Sequence, residues 1–157
     1  MNLYNAPVRI YLMRHATAEE TGPEGDASRR LTNDGRREAR EVGEALRDRR
    51  AVLSAVVCSP RTRARETAKI VADILTVELH VTEALDSGAP LSGYPTVISI
   101  FGHGGDVLLV GHNPEIVTWA SRMAGQDLVF RPSTVCCFNL DDKAQLEWLR
   151  QPLPPNP

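Results

Sequence analysis

The chain has 157 residues, 42% of them apolar and 24% charged, with a net charge of −2. That size and composition suit one globular domain with its own core, and the near-neutral charge gives no footprint for nucleic acid or an anionic membrane surface. No apolar run approaches the ~18–20 residues of a membrane span, and residues 1–7 show neither a basic nor an apolar leader segment, so no signal peptide is expected.

Residues 8–13 form an apolar run with β-branched and aromatic members that reaches Arg14-His15 and then breaks into small and polar residues. This reads as a buried strand ending in a loop. Residues 21–28 are loop by composition. Thr32 is the expected N-cap of a helix, with Asp34 in its first turn. Ala39, Val42, Ala45 and Leu46 follow at helical spacing. The other face interleaves Arg36, Arg37, Arg40 and Arg47 with Glu41 and Glu44, the pattern of a solvated surface rather than a nucleic-acid patch. Residues 53–58 are a second buried strand, and Ser59 and Pro60 are expected as N-cap and first residue of the next helix. Its apolar stripe is Ala64, Ala68, Val71, Ile74 and Leu75, which puts Arg63 in the first turn.

Residues 77–81 read as a short third strand, 82–95 as a loop, 96–101 as the end of a helix and 106–110 as a fourth strand. Asn113 and Pro114 are expected as N-cap and first residue of a helix carrying Ile116, Val117, Ala120, Met123 and Ala124. Residues 134–140 and 145–149 suggest a closing hairpin. No repeat or second domain is visible, so a single domain over residues 1–150 and an unstructured proline-rich tail over 151–157 are expected. Cys58, Cys136 and Cys137 have no CxxC spacing and are expected as free buried thiols in a reducing cytoplasm. His80 and His103 match no motif and are expected to be structural or exposed. Trp119 and Trp148 are expected in or near the core.

Arg14-His15, Arg63 and His112 all lie at junctions following a strand. Alternating strands and helices imply a largely parallel sheet whose carboxyl ends share one edge, and ligands of open α/β sheets bind at that edge. Helix N-termini after Pro60 and Pro114 would offer free backbone N–H groups to an anion. The planar fork of arginine can engage two phosphate oxygens at once. By itself each residue has a bland reading, His112 as a turn histidine and Arg63 as an ion-paired surface residue. Their joint occurrence with Arg14-His15 predicts a pocket for a phosphate-sized anion. A neutral imidazole is a competent nucleophile near pH 7, since free histidine titrates near ~6.5. The transferring phosphoryl group spreads charge over its oxygens, which fixed cations at Arg14, Arg63 and Arg29 would meet without a metal. No HExxH motif or carboxylate cluster calls for one, and no cofactor is expected.

Arg14-His15-Ala16, Ser59-Pro60-Arg61-Thr62-Arg63-Ala64 with Thr67-Ala68, and Gly111-His112-Asn113-Pro114 resemble, in order and spacing, the motifs of the histidine phosphatase superfamily. Asp26, Arg29, Leu31, Thr32 and Gly35, with the short length, resemble its SixA-type phosphohistidine phosphatases. The resemblance implies a three-layer α/β/α sandwich around a mostly parallel sheet, the phosphoglycerate mutase-like fold. It also implies that His15 is the phosphorylated nucleophile and that Arg14, Arg63, His112 and Arg29 hold the phosphoryl group. Arg61 and Arg65 do not match the family's arginine position and are expected on the helix surface.

Many relatives with alcohol leaving groups use a carboxylic acid as proton donor. The position after the second histidine is Asn113, which cannot serve, and neither Glu83 nor Asp86 sits in a convincing form of the family pattern. An alkoxide leaves poorly without a proton, whereas an imidazole has a conjugate acid near ~6.5 and leaves readily. The expected activity is therefore hydrolysis of phosphohistidine in a partner protein by a cytoplasmic monomer. The alternatives are a phosphatase for a small phosphate ester, with Glu83 or Asp86 as acid, and a non-catalytic module that binds a phospho-ligand.

Overall fold

Runs such as Ile10-Tyr11-Leu12-Met13 and Val107-Leu108-Leu109-Val110 are apolar at every position, so they can be satisfied only where both faces of a sheet are covered. A computed structural model of the chain describes residues 9–153 and shows this arrangement. The described residues form strands β1 (Arg9–Arg14), β2 (Leu53–Cys58), β3 (Leu79–Val81), β4 (Asp106–Gly111), β5 (Val135–Asn139) and β6 (Gln145–Arg150). They form helices α1 (Asn33–Asp48), α2 (Thr62–Leu75), α3 (Gly93–Phe101) and α4 (Glu115–Ala124), with 3-10 turns at Asp26–Ser28, Glu83–Leu85 and Gly102–Gly104. The sheet order is β3-β2-β4-β1-β5-β6, parallel from β3 through β1 and antiparallel for β5 and β6.

Successive strand residues point to opposite faces, and the two faces build two cores. Tyr11, Met13, Val56, Leu108 and Val110 pack under α1 and α2 through Val42, Leu46, Ala64, Ala68 and Val71. Ile10, Leu12, Val57, Val107 and Leu109 pack under α3 and α4 through Tyr94, Val97, Ile116 and Ala120. The result is an α/β/α sandwich. Burying each such aliphatic side chain is worth about 1.5–3 kcal/mol. Trp119 stacks on Tyr94 with ring centroids 5.2 Å apart, and Trp148 lies against the first core. The three cysteines are buried and free.

Several boundaries differ from the sequence reading. The N-cap of α2 is Arg61 rather than Ser59, and that of α4 is Pro114 rather than Asn113. In both cases the chain needs extra residues to turn from strand end to helix. The third strand keeps only Leu79–Val81. Residues 82–95 hold the Glu83–Leu85 turn and the start of α3, whose apolar contacts reach the second core. His80 packs on Phe101 at 4.8 Å between centroids, and His103 is exposed. Val8 and Pro154–Pro157 lie outside the described residues, as does the segment read for a leader. Gln151, at the start of the expected tail, accepts from Arg131 at 2.6 Å and donates to the Val129 carbonyl.

Thr32 caps α1 as expected, its Oγ1 accepting from Gly35 N–H at 2.9 Å. Its own N–H donates to the Thr17 carbonyl, which ties α1 to the loop that follows β1. Gly35 is needed for that approach: a Cβ there would lie 2.0 Å from the Thr17 oxygen. Helix propensity alone would make Gly35→Ala stabilising by up to ~1 kcal/mol. The collision reverses the sign, and urea unfolding is expected to show a loss of about 1–3 kcal/mol.

Candidate active site

The parallel pairing of β1 with β4 sets Arg14 opposite Gly111, and that of β2 with β4 sets Cys58 opposite Val110. The residues just beyond are His15, His112 and Ser59, and the ladder continues one step, with His15 N–H donating to Gly111 O and Ser59 N–H to Val110 O. The rings of His15 and His112 are therefore neighbours, centroids 5.2 Å apart. From the first turn of α2, Arg63 donates through Nε to Nε2 of His15 at 3.3 Å. All three side chains are buried.

The His15 ring is oriented from its other nitrogen. Nδ1 lies 2.8 Å from the Ala16 carbonyl, so it carries the proton and Nε2 keeps its lone pair toward Arg63. Ala16 is held by Thr67, whose hydroxyl accepts from Ala16 N–H at 3.0 Å and donates to the Arg63 carbonyl one turn back. Arg14 donates from Nη1 to the Phe130 carbonyl at 3.1 Å, and Asn113 Nδ2 donates to the same oxygen at 2.9 Å. The loop carrying Phe130 also brings Ser133 N–H to the carbonyls of Arg14 and His15. The Ser133 hydroxyl donates to Glu38 on α1, which also receives the N–H and hydroxyl of Thr17.

A ring of charge surrounds this centre. Asp26 accepts from Arg29 at 3.1 Å, from Arg63 at 3.2 Å and from Arg61. Arg61 also donates through Nε to Asp86 at 2.7 Å. Arg61 is thus a bridge across the mouth and not the plain surface residue expected, whereas Arg65 is exposed as expected. Arg29 sits one step from the centre, tied to Asp26 and to the Glu19 carbonyl. The backbone N–H groups expected to await an anion are in part taken, Arg61 N–H by Ser59 Oγ and Ile116 N–H by the His112 carbonyl. Two buried side-chain nitrogens at the centre have no hydrogen-bond partner among the described residues, Nε of Arg14 and Nδ1 of His112. An unmet buried polar atom costs about 1–3 kcal/mol, and Nε of Arg14, always a donor, suits an oxygen of an anion.

Burial pushes His15 down to about 3; His112, Arg63 and Arg14 push the same way, and the Ala16 hydrogen bond opposes them only in part. Burial and then the Arg63 and Arg61 charges push His112 down to about 4. Both rings are neutral near pH 7. For Asp86, partial burial pushes the carboxyl up, but the Arg61 hydrogen bond and charge and the Ser87 N–H outweigh it and hold it below its ordinary value. Glu83 is exposed. Among the described residues no group of three or more His, Cys, Asp or Glu side chains is disposed to hold a metal ion, and no helix is long and apolar enough to cross a membrane.

The sequence reading brought Arg14, His15, Arg63 and His112 together, and the structure juxtaposes them. It gave Ser59 and Thr67 a place in the motif but no role in the site, and it had no signal for Ser133 or Glu38.

A family model described as histidine phosphatase superfamily (branch 1) matches residues 10–87. A candidate phosphohistidine phosphatase SixA from Agrobacterium tumefaciens is 26% identical, with 93% of this chain and 99% of that one covered and a TM-score of 0.83. A protein histidine phosphatase SixA solved with tungstate is 24% identical over 92% and 97% of the two chains, with a TM-score of 0.81. A candidate α-ribazole-5′-phosphate phosphatase from Escherichia coli is 17% identical over 94% and 97%, with a TM-score of 0.75. The last two likenesses speak for the fold. Curated protein sequences give no significant match.

Because both imidazoles bind protons less readily folded than unfolded, the unfolded chain takes up more protons below about pH 6.5, and stability falls as pH drops through that window. Urea-unfolding free energy is expected to decline between pH 6.5 and 4.5 with a slope of up to ~1.4 kcal/mol per pH unit for each histidine. His15→Asn and His112→Asn should each remove part of that slope; an unchanged slope in both would mean the rings are not held neutral.

Proposed function

Since this chain belongs to the histidine phosphatase superfamily, we propose that it is a phosphatase that removes the phosphoryl group from phosphohistidine in a partner protein. The observation that carries the substrate class is the pairing of Asp86. Its carboxylate accepts from Arg61 Nε at 2.7 Å and from Ser87 N–H at 2.8 Å, and both contacts favour the ionised form. An ionised carboxylate cannot protonate an alkoxide. An imidazole leaving group, with a conjugate acid near ~6.5, does not need it. Asn113 offers no acid either, and its amide is engaged with Phe130.

The reaction runs in two displacements. The free ring nitrogen of the substrate phosphohistidine takes a proton from solvent, Nε2 of His15 attacks phosphorus, and the P–N bond breaks to release a neutral imidazole. Water then attacks phosphorus, the P–N bond to His15 breaks to return the lone pair to Nε2, and the water's proton goes to the phosphate or to solvent. Arg14, Arg63 and His112 meet the charge on the equatorial oxygens, with Arg29 and Asp26 behind them. The setting that suits buried free thiols is a reducing one such as the cytoplasm.

The test is turnover on a phosphohistidine peptide against alkyl and aryl phosphates. Phosphohistidine should exceed alkyl phosphates by ~10² or more in kcat/KM, the contribution a general acid would otherwise make. Equal efficiency on alkyl phosphates would promote the small-ester reading, and binding without turnover the non-catalytic one. His15→Ala should abolish turnover together with acid-labile, base-stable phosphate labelling of the protein.

The arginines divide in the same way. Arg63→Ala is expected to lower kcat/KM on an aryl phosphate by ~10²–10³, and Arg65→Ala to leave it within about twofold. Equal losses would mean the exposed face of α2 takes part.

A further inference from the structure

Ser59 follows directly on β2 and is fully buried. Its hydroxyl accepts from Arg61 N–H at 3.2 Å and lies 2.7 Å from Nε2 of His112. A serine hydroxyl has one proton to give. Arg61 N–H is a donor and cannot take it. Among the described residues, the acceptor left to it is Nε2 of His112. The opposite arrangement, with the proton on Nε2, would aim two donors at one oxygen and leave the buried serine proton with no acceptor.

We propose that Ser59 is a positioning residue that donates to Nε2 of His112 and so fixes that ring's single proton on Nδ1, where it meets a phosphoryl oxygen. Nδ1 is the ring nitrogen that has no partner among the described residues. The choice matters because the ring is neutral: one nitrogen attracts an anionic oxygen and the other repels it. Burial beside Arg63 and Arg61 holds His112 down to about 4, so the second proton that would make the choice irrelevant is absent near pH 7. The placement is robust because Ser59 N–H is bonded to Val110 O, two residues before His112 on the neighbouring strand. The two active-site histidines are thereby set by the same device used oppositely. Ala16 O accepts from Nδ1 of His15 and frees Nε2 to attack; Ser59 donates to Nε2 of His112 and frees Nδ1–H to bind.

The proposal rests on the phosphatase reading, and its test is built to fail separately from it. Long-range 15N–1H spectra at pH 7.5, with His112→Asn assigning the signals, report which nitrogen of His112 is protonated. The wild-type protein should show the proton on Nδ1. Ser59→Ala should shift it toward Nε2, weaken tungstate binding about tenfold and lower kcat/KM on p-nitrophenyl phosphate about tenfold, the worth of one hydrogen bond to a charged oxygen. Ser59→Thr, which keeps the hydroxyl, should restore all three to within about threefold. A wild-type proton on Nε2 overturns the proposal. So does a Ser59→Ala protein whose tautomer is unchanged, whether its activity falls or not, because Ser59 would then be only structural. If the wild type leaves a phosphohistidine peptide intact yet shows the Ser59 pattern with the aryl phosphate, the substrate reading falls and the role of Ser59 stands. If it hydrolyses neither, the phosphatase reading falls, and the tautomer with tungstate affinity still decides.

Discussion

Arg14 pairs with Gly111 across the β1–β4 ladder, and His15 and His112 are the next residue on each strand. Strand side chains alternate between faces, so a slip of one residue would turn every side chain of β1 to the opposite core and pull the rings apart. The observed register sets Tyr11 and Met13 in one core and Ile10 and Leu12 in the other. Gly111 is part of the same constraint. A Cβ at that position would lie 2.5 Å from the Tyr94 hydroxyl oxygen, so a side chain there would push apart β4 and α3 beneath the site.

Around this pair, order is imposed by neutral groups and charge by arginines. The loop after β1 holds only the short 3-10 turn at Asp26–Ser28, and it is tied down by Thr67, which receives Ala16 N–H, by Glu38, which receives the N–H and hydroxyl of Thr17, and by Ser133, whose N–H meets the Arg14 and His15 carbonyls and whose hydroxyl meets Glu38. The cations at the mouth, Arg29, Arg61 and Arg63, each meet a carboxylate, whereas Arg14 donates to the Phe130 carbonyl. Asp26 lies between Arg29, Arg61 and Arg63, and Asp86 takes the far side of Arg61. Because these carboxylates are partly exposed, their ion pairs contribute little to stability. Their effect is on the electrostatics of the mouth.

The same arrangement separates two kinds of chemistry. Burial first, and the neighbouring arginines after it, keep both imidazoles neutral, while Arg61 and Ser87 N–H keep the Asp86 carboxyl ionised.

Most of the scaffold was legible in the sequence. Unbroken apolar runs marked buried strands, Thr32 with Asp34 marked the start of α1, and Arg14-His15, Arg63 and His112 fell after strands whose parallel order follows from the alternating helices. Those signals are local, because periodicity and capping act over a few residues. The remainder rests on contacts between residues far apart in the chain. Arg61 looked like helix surface until Asp26 and Asp86 were seen on either side of it, 35 and 25 residues away. Phe130 as the acceptor for Arg14, 116 residues earlier, had no sequence signal. Nor did the choice of nitrogen on His112, which depends on a serine 53 residues before it. A side chain's type limits what it can donate or accept, but its partner is whichever group the packed fold brings within 3 Å or so, and local sequence pattern does not encode that distance.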